Sequence, residues 1–76
     1  MYKKTFQKAV KMAKDAGYDD AKILGKWKSC EVVDPIYNDD IVRYTGFPQF
    51  ILLENGLLRW TNDWEESRAI MGHFYK

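Results

Sequence analysis

Apolar residues near the N-terminus recur at helical spacing. At 100° per residue, six apolar side chains fall on one arc and five lysines on the opposite arc. Gly17 then suits the left-handed position that closes a helix. The pattern predicts an amphipathic helix from about Lys3 to Ala16. Its apolar arc is Phe6, Ala9, Val10, Met12, Ala13 and Ala16, and its lysine face is Lys3, Lys4, Lys8, Lys11 and Lys14.

Strand-like alternation follows the helix. Over Lys22–Val33, polar residues alternate with apolar ones, as in a half-buried strand, and a slip near Cys30 indicates a bulge or an imperfect edge. Pro35 is expected to end this strand, because proline cannot donate to a ladder. The segment Ile36–Phe47 has no clear period, and its turn residues flank a short candidate strand at Ile41–Tyr44.

The strongest local signal is a hairpin. Gln49–Glu54 runs into Asn55-Gly56 and returns through Leu57–Trp60. Asn-Gly tolerates positive φ at both central positions, which a two-residue type I′ turn requires.

A second helix is predicted after the hairpin, ending near Phe74. Thr61 or Asn62 is the expected cap, and Asn62 with Glu65 resembles a capping box. His73 lies near the negative end of the helix dipole. The predicted inward face is Trp64, Ser67, Ile70, Met71 and Phe74.

This order of elements is typical of a small α+β domain. We expect one domain over residues 1–76, with a three- or four-stranded, largely antiparallel sheet and an N-terminal and a C-terminal helix. A core of this size typically contributes only ~3–5 kcal/mol, so self-association is a reasonable expectation.

The hairpin register separates two faces. One face pairs Leu53 with Leu58 and Ile51 with Trp60, which predicts core. The other, the outer hairpin face, mixes apolar side chains with charged ones, which fits two interpretations: burial under a helix of the same chain, or a partner surface with an apolar centre and a charged rim. On the second interpretation, the partner-binding residues are Phe50, Leu52, Leu57 and Arg59, with Phe50 as the apolar anchor and Arg59 as a rim contact.

The lysine face is the second candidate surface. The chain has a formal net charge of +1, but eight Lys and three Asp precede Glu31, whereas four basic and eight acidic residues follow from there. Lys4, Lys8 and Lys11, with Trp27 available for stacking, predict an alternative role in binding nucleic acid or another anionic partner. Lysine alone lacks the bidentate geometry of specific base readout, and many such faces are simply solvated.

Enzyme chemistry has weaker support. Cys30 and His73 are the single thiol and the single imidazole, and nothing in their spacing argues for a catalytic pair. Asp34, Asp39 and Asp40 do not follow a calcium-loop spacing, and the five glycines are dispersed, so no phosphate loop is predicted. We therefore expect no catalytic residue, no cofactor and no metal.

The sequence also bears on location. One cysteine excludes an internal disulfide, and the longest apolar run, Phe50–Leu53, is far shorter than a membrane span. A cytoplasmic protein without a signal sequence is the expectation.

One stretch of the chain, and the sequence as a whole, resemble known proteins. The stretch Gly46–Leu57 resembles the later half of thioredoxins, in which a proline precedes a strand, a hairpin turn, another strand and a closing helix. The Cys-x-x-Cys pair is absent here, so the resemblance implies no redox activity. The sequence as a whole is similar to small proteins of Gram-positive bacteria. The predicted function is thus a non-enzymatic protein-interaction module, self-pairing included, with the anionic-partner role as the alternative.

Overall fold

A computed structural model describes residues 2–37 and 49–75. These residues form two helices and a four-stranded antiparallel sheet, so the predicted α+β class is confirmed. The candidate strand Ile41–Tyr44 lies outside the described residues. The elements are α1 (Lys3–Asp15), β1 (Asp20–Trp27), β2 (Cys30–Ile36), β3 (Ile51–Glu54), β4 (Leu57–Trp60) and α2 (Trp64–Phe74).

The sheet is a meander in the order β1-β2-β3-β4. The predicted β3–β4 register is confirmed, with Leu53 opposite Leu58 and Leu52 opposite Arg59. Asn55 and Gly56 have φ values of 51° and 79°, the positive values that the two-residue turn requires. Local turn chemistry therefore sets which side chains share each face of this hairpin.

The predicted single strand over Lys22–Val33 is wrong, because this part of the chain is a second hairpin. Lys28 and Ser29 form its turn, and Trp27 pairs with Cys30. β2 also continues through Pro35. Within β2, the residues that pair with β3 are Glu31–Val33. The missing N–H of Pro35 therefore costs no hydrogen bond between these two strands.

The bulge lies in β1 rather than near Cys30. The register of β1 against β2 shifts between Ile23 and Gly25. Gly25 has a φ of 137°, a conformation that L side chains rarely adopt, and a Cβ there would lie 3.4 Å from the ring of Phe74. Glycine thus allows the backbone conformation of the bulge, and a Cβ at this position would be in van der Waals contact with Phe74 of α2.

The two helices cover opposite faces of the sheet. On one face, Ala9 and Ala13 of α1 pack against Val33 and Ile51. On the other face, Ile70 of α2 packs with a second buried set that includes Cys30, Val32, Phe50 and Leu52. Adjacent residues of one strand point to opposite faces, so neighbours such as Val32 and Val33 belong to different clusters.

Three predictions about the ends and edges of the helices need correction. Ala16 is exposed just beyond α1, and Trp64 and Met71 lie at the margin of the α2 interface, 47% and 36% exposed. The N-cap of α2 is Asp63, whose carboxylate accepts from the Glu66 N–H at 2.9 Å. Thr61 is unavailable as a cap because its N–H donates to the carbonyl of Phe50, still in the sheet.

Replacing Gly25 with alanine should destabilise the fold by about 1–3 kcal/mol, because alanine is strained at this φ. Gly72, inside α2 with open space around its Cα, is the matched control. Gly72→Ala should stabilise by about 0.5–1 kcal/mol, since alanine is the better helix former. Urea unfolding followed by circular dichroism measures both, and equal effects of the same sign would contradict the bulge geometry.

Candidate functional site

The outer hairpin face is largely covered by α2. Phe50 and Leu52 are 3% and 0% exposed and pack with Ile70. The prediction that these two side chains are accessible to a partner is therefore wrong. The other interpretation, burial under a helix of the same chain, is correct for these two residues, because they form the apolar surface against which Ile70 of α2 packs.

Arg59 is also used internally. Its two terminal nitrogens donate to the two carboxylate oxygens of Glu66 at 2.8 and 3.0 Å, and its Nε lies 3.6 Å from Glu54. A planar guanidinium suits this two-bond geometry, which ties β4 to the first turn of α2. Of the four predicted contact residues, Leu57 alone is strongly exposed, at 73%.

The environment of Glu66 favours its ionised form. The bonds from Arg59 lower its pKa, and the Asn62 N–H adds a further bond to the same carboxylate. A carboxyl whose pKa is lower in the folded chain stabilises the fold above its unfolded pKa, and that contribution is lost as the pH falls through the folded value. At neutral pH the tie between β4 and α2 is therefore intact.

Cys30 lies in a setting that suppresses nucleophilic chemistry. Its side chain is 3% exposed, and its thiol donates to a carboxylate oxygen of Glu54 at 3.3 Å. Burial, the bond to Glu54 and the charge of Glu54 all raise the pKa of the thiol. His73 is exposed on α2, with its ring edge-on to Phe74 at 4.7 Å between centroids. The observed partner of Cys30 is thus a carboxylate, which does not activate a thiol.

The acidic residues considered as cation ligands are not gathered in the described chain. Asp34 accepts a bond from the hydroxyl of Tyr75 at 2.6 Å, while Asp39 and Asp40 lie outside the described residues. Within residues 2–37 and 49–75, no group of three or more His, Cys, Asp or Glu side chains could hold a metal ion.

The lysine face of α1 points to solvent, as predicted. All five of its lysines are exposed. Among the residues that the structure describes, Lys11 is the member of this face with an ion pair, to Asp15 at 3.3 Å. The lysine face is therefore a positively charged surface on a rigid element.

Trp27 does not lie beside this surface. It is half-buried in the cluster under α2, on the opposite face of the sheet from α1. The Nζ of Lys28 sits over it, 4.7 Å from the ring centroid. The expectation that Trp27 is available for stacking next to the lysine face is wrong, because the bulge at Gly25 reverses the alternation of β1.

A further feature escaped the sequence analysis, an open cavity of about 290 Å³ at the end of the sheet where both hairpin turns meet. We call it the hairpin-end cavity. Its location depends on the Lys28-Ser29 turn, which has lysine rather than glycine or asparagine at the position with positive φ. The slip in alternation near Cys30 was the sequence signal of this turn. Its walls include Lys26, Lys28, Ser29, Glu31, Leu53 and Asn55.

Comparisons with known proteins identify no relative. The chain matches no protein-family model, no curated protein and no solved structure. The resemblance of Gly46–Leu57 to thioredoxins accordingly finds no support there. Neither described helix is long and apolar enough to cross a membrane.

Phe50 and Leu57 should respond oppositely to a charge. Phe50→Asp should unfold the chain, because it places an unpaired carboxylate in the core under α2. Leu57→Asp should change the free energy of unfolding by no more than about 0.5 kcal/mol, because Leu57 is exposed. Circular dichroism and urea midpoints distinguish them. A natively folded Phe50→Asp variant would show that α2 does not cover this face.

Cys30 should be a slow thiol. We expect alkylation by iodoacetamide at neutral pH to be at least about tenfold slower in the folded chain than in the same chain unfolded in urea, because the folded thiol is buried and protonated. Mass spectrometry at timed intervals gives both rates. An alkylation rate in the folded chain equal to or above that in the unfolded chain would contradict this prediction and would support a reactive role for Cys30.

Proposed function

We propose that this protein is a binding module that recognises an acidic protein surface through the lysine face of α1. The observation that carries the proposal is the exposure of all five lysines on one side of one helix, with a single ion pair among them in the described chain. Lys4, Lys8 and Lys11, one turn apart in succession, are the central contacts. A row of ammonium groups on a rigid helix complements carboxylates on a partner.

The start of α1 supports this proposal. Lys3 and Lys4 place positive charge at the positive end of the helix dipole, and the first turn contains no acidic residue. Tyr2, at the N-cap position, provides no side-chain hydrogen bond. Each feature weakens the helix without any gain for packing, which is the pattern expected where sequence serves binding rather than stability.

Two observations favour an acidic protein over nucleic acid. The lysine face contains no arginine, the residue best suited to bidentate phosphate and base contacts. Trp27, the stacking residue that a single-strand binder would use, packs on the other side of the sheet. Nucleic acid is therefore the competing outcome of the test.

The burial of Phe50 and Leu52 moves the proposed surface from the hairpin to α1. A second copy is the alternative protein partner, because α2 has Asp63 at its N-cap and Glu65 in its first turn, on the opposite side of the sheet from the lysine face. We also propose a cytoplasmic location and no catalytic role, since the single cysteine is a free, buried thiol.

The decisive variant replaces Lys4, Lys8 and Lys11 with Gln. Its matched control replaces Lys22, Arg68 and Lys76 with Gln, which removes the same number of positive charges from other parts of the chain. Fluorescence anisotropy against a glutamate-rich peptide, a single-stranded RNA and a DNA duplex compares the three partners across a salt series. We expect the peptide to bind wild type and control alike, and the α1 variant to bind at least about tenfold more weakly.

Tighter binding of RNA or DNA than of the peptide, lost in the same variant, would replace the proposal with nucleic-acid recognition. An equal loss of affinity in the variant and the control would mean that the overall charge of the protein, rather than the lysine face, determines binding. Sedimentation of the protein alone tests self-pairing: a salt-sensitive dimer abolished by the α1 variant identifies a second copy as the partner.

Lys4→Glu should separate stability from binding. A carboxylate in the first turn of α1 interacts favourably with the dipole and relieves repulsion among the lysines, so we expect stabilisation by about 0.3–1 kcal/mol. Peptide binding should weaken in the same variant. Lys14→Glu, in the last turn of α1, is the control for stability and should destabilise the fold.

A further inference from the structure

The hairpin-end cavity lies apart from the lysine face of α1. β2 and β3 are antiparallel neighbours, with Glu31 opposite Leu53, so the β1–β2 and β3–β4 turns lie at the same end of the sheet. Between them is the open cavity of about 290 Å³. This volume is enough for a small ligand or for the end of a larger one.

Two local irregularities converge on this cavity. The bulge in β1 places Lys26 opposite Glu31, which has Leu53 as its neighbour on the other side, and it sends Trp27 to the other face of the sheet. Unbroken alternation would exchange the faces of Lys26 and Trp27. Bulges commonly redirect a side chain near a functional site. Lys28, the first residue of the turn, has a φ of 55° where glycine or asparagine would be less strained. Strain of this kind is concentrated at functional sites.

We infer that the hairpin-end cavity binds an oxyanion, a phosphate or a carboxylate group, with Lys26 and Lys28 as its cationic contacts. Ser29 and Asn55 also line the cavity, and the hydroxyl of Ser29 and the side-chain amide of Asn55 would be neutral donors for the remaining oxygens. Leu53 forms an apolar wall against which the rest of the ligand packs.

Lys28 supplies a direct reporter of occupancy. Its Nζ lies 4.7 Å from the ring centroid of Trp27, at the end of a flexible four-carbon stem. Turning toward an anion in the cavity removes the ammonium from the indole face. Binding should therefore shift the indole N–H resonance of Trp27 even though this ring lies outside the cavity walls.

Glu31 gives the proposal a gain-of-affinity test. Glu31 belongs to the same wall, and its negative charge opposes the arrival of a second one. Glu31→Gln should therefore tighten binding of an anion, whereas a cation or a neutral ligand would bind no better. If the cavity bound no anion, Glu31→Gln would not be expected to increase the affinity for one.

The experiment is an NMR titration of the full chain with inorganic phosphate, and separately with acetate, at ionic strength held constant with chloride. We expect saturable shifts at the amides of residues 26–31 and 55–56 and at the Trp27 indole. Lys26→Gln should weaken binding at least about threefold, Glu31→Gln should tighten it by a similar factor, and Lys14→Gln on α1 should leave it unchanged.

The two probes identify the source of the anion. Saturation with phosphate alone assigns a phosphoryl ligand, and saturation with acetate alone assigns a carboxylate such as a chain terminus. Shifts that grow linearly with both probes, or that spread equally over the lysine face, would overturn the proposal. So would unchanged affinity in Lys26→Gln, provided that its spectrum shows the native fold. The variant lacking Lys4, Lys8 and Lys11 should bind phosphate normally, so this site and the proposed function fail independently.

Discussion

The fold depends on the burial of both faces of β2 and β3 at the centre of the sheet. Val32 and Val33 are both fully buried, and so are Ile51 and Leu52 beside them. Neighbouring residues of a strand point to opposite faces, so neither face can be left in water. A sheet with two apolar faces needs two covering layers, and the described part of the chain provides one helix for each.

The two layers are attached differently. Helix α1 approaches closely through Ala9 and Ala13, which have small side chains and are fully buried, and larger side chains surround them. Helix α2 has Ile70 as its one fully buried apolar residue, and polar contacts supplement it. The Ser67 hydroxyl donates to Thr61 at 2.8 Å beneath the helix, Arg59 binds Glu66 at its first turn, and Tyr75 binds Asp34 just past its last. Each buried polar group in this set is therefore paired within the chain.

This difference explains how far the sequence could predict the structure. The periodicity of α1 and the Asn55-Gly56 turn are local signals, and both predictions were confirmed. Two polar residues of the outer hairpin face, Arg59 and Thr61, have partners on α2, Glu66 and Ser67. The spacing of residues within the hairpin does not reveal partners on another element. The sequence alone therefore could not distinguish a face covered by a helix, with its polar groups paired inside the chain, from a partner surface with a charged rim.

The β1–β2 turn was missed for a related reason. Lys28 adopts a conformation that its residue type disfavours, and Gly25, which does mark an irregularity, lies three residues before it. A local rule based on glycine and asparagine therefore finds the β3–β4 turn and overlooks this one. The hairpin-end cavity, which depends on both turns, could not be predicted from the sequence.

Because helices cover both sheet faces, charge rather than apolar area distinguishes the surfaces proposed for binding. The formal net charge of +1 does not describe the charge of either surface. Layers packed on the two sides of a sheet lie about 20 Å apart, at ~10 Å per layer, and the Debye length at physiological salt is about 8 Å. A partner that approaches α1 is thus largely screened from the carboxylates at the start of α2. If the lysine face is the binding surface proposed here, it acts locally, and its geometry and lack of arginine, rather than the net charge of the molecule, would discriminate among anionic partners.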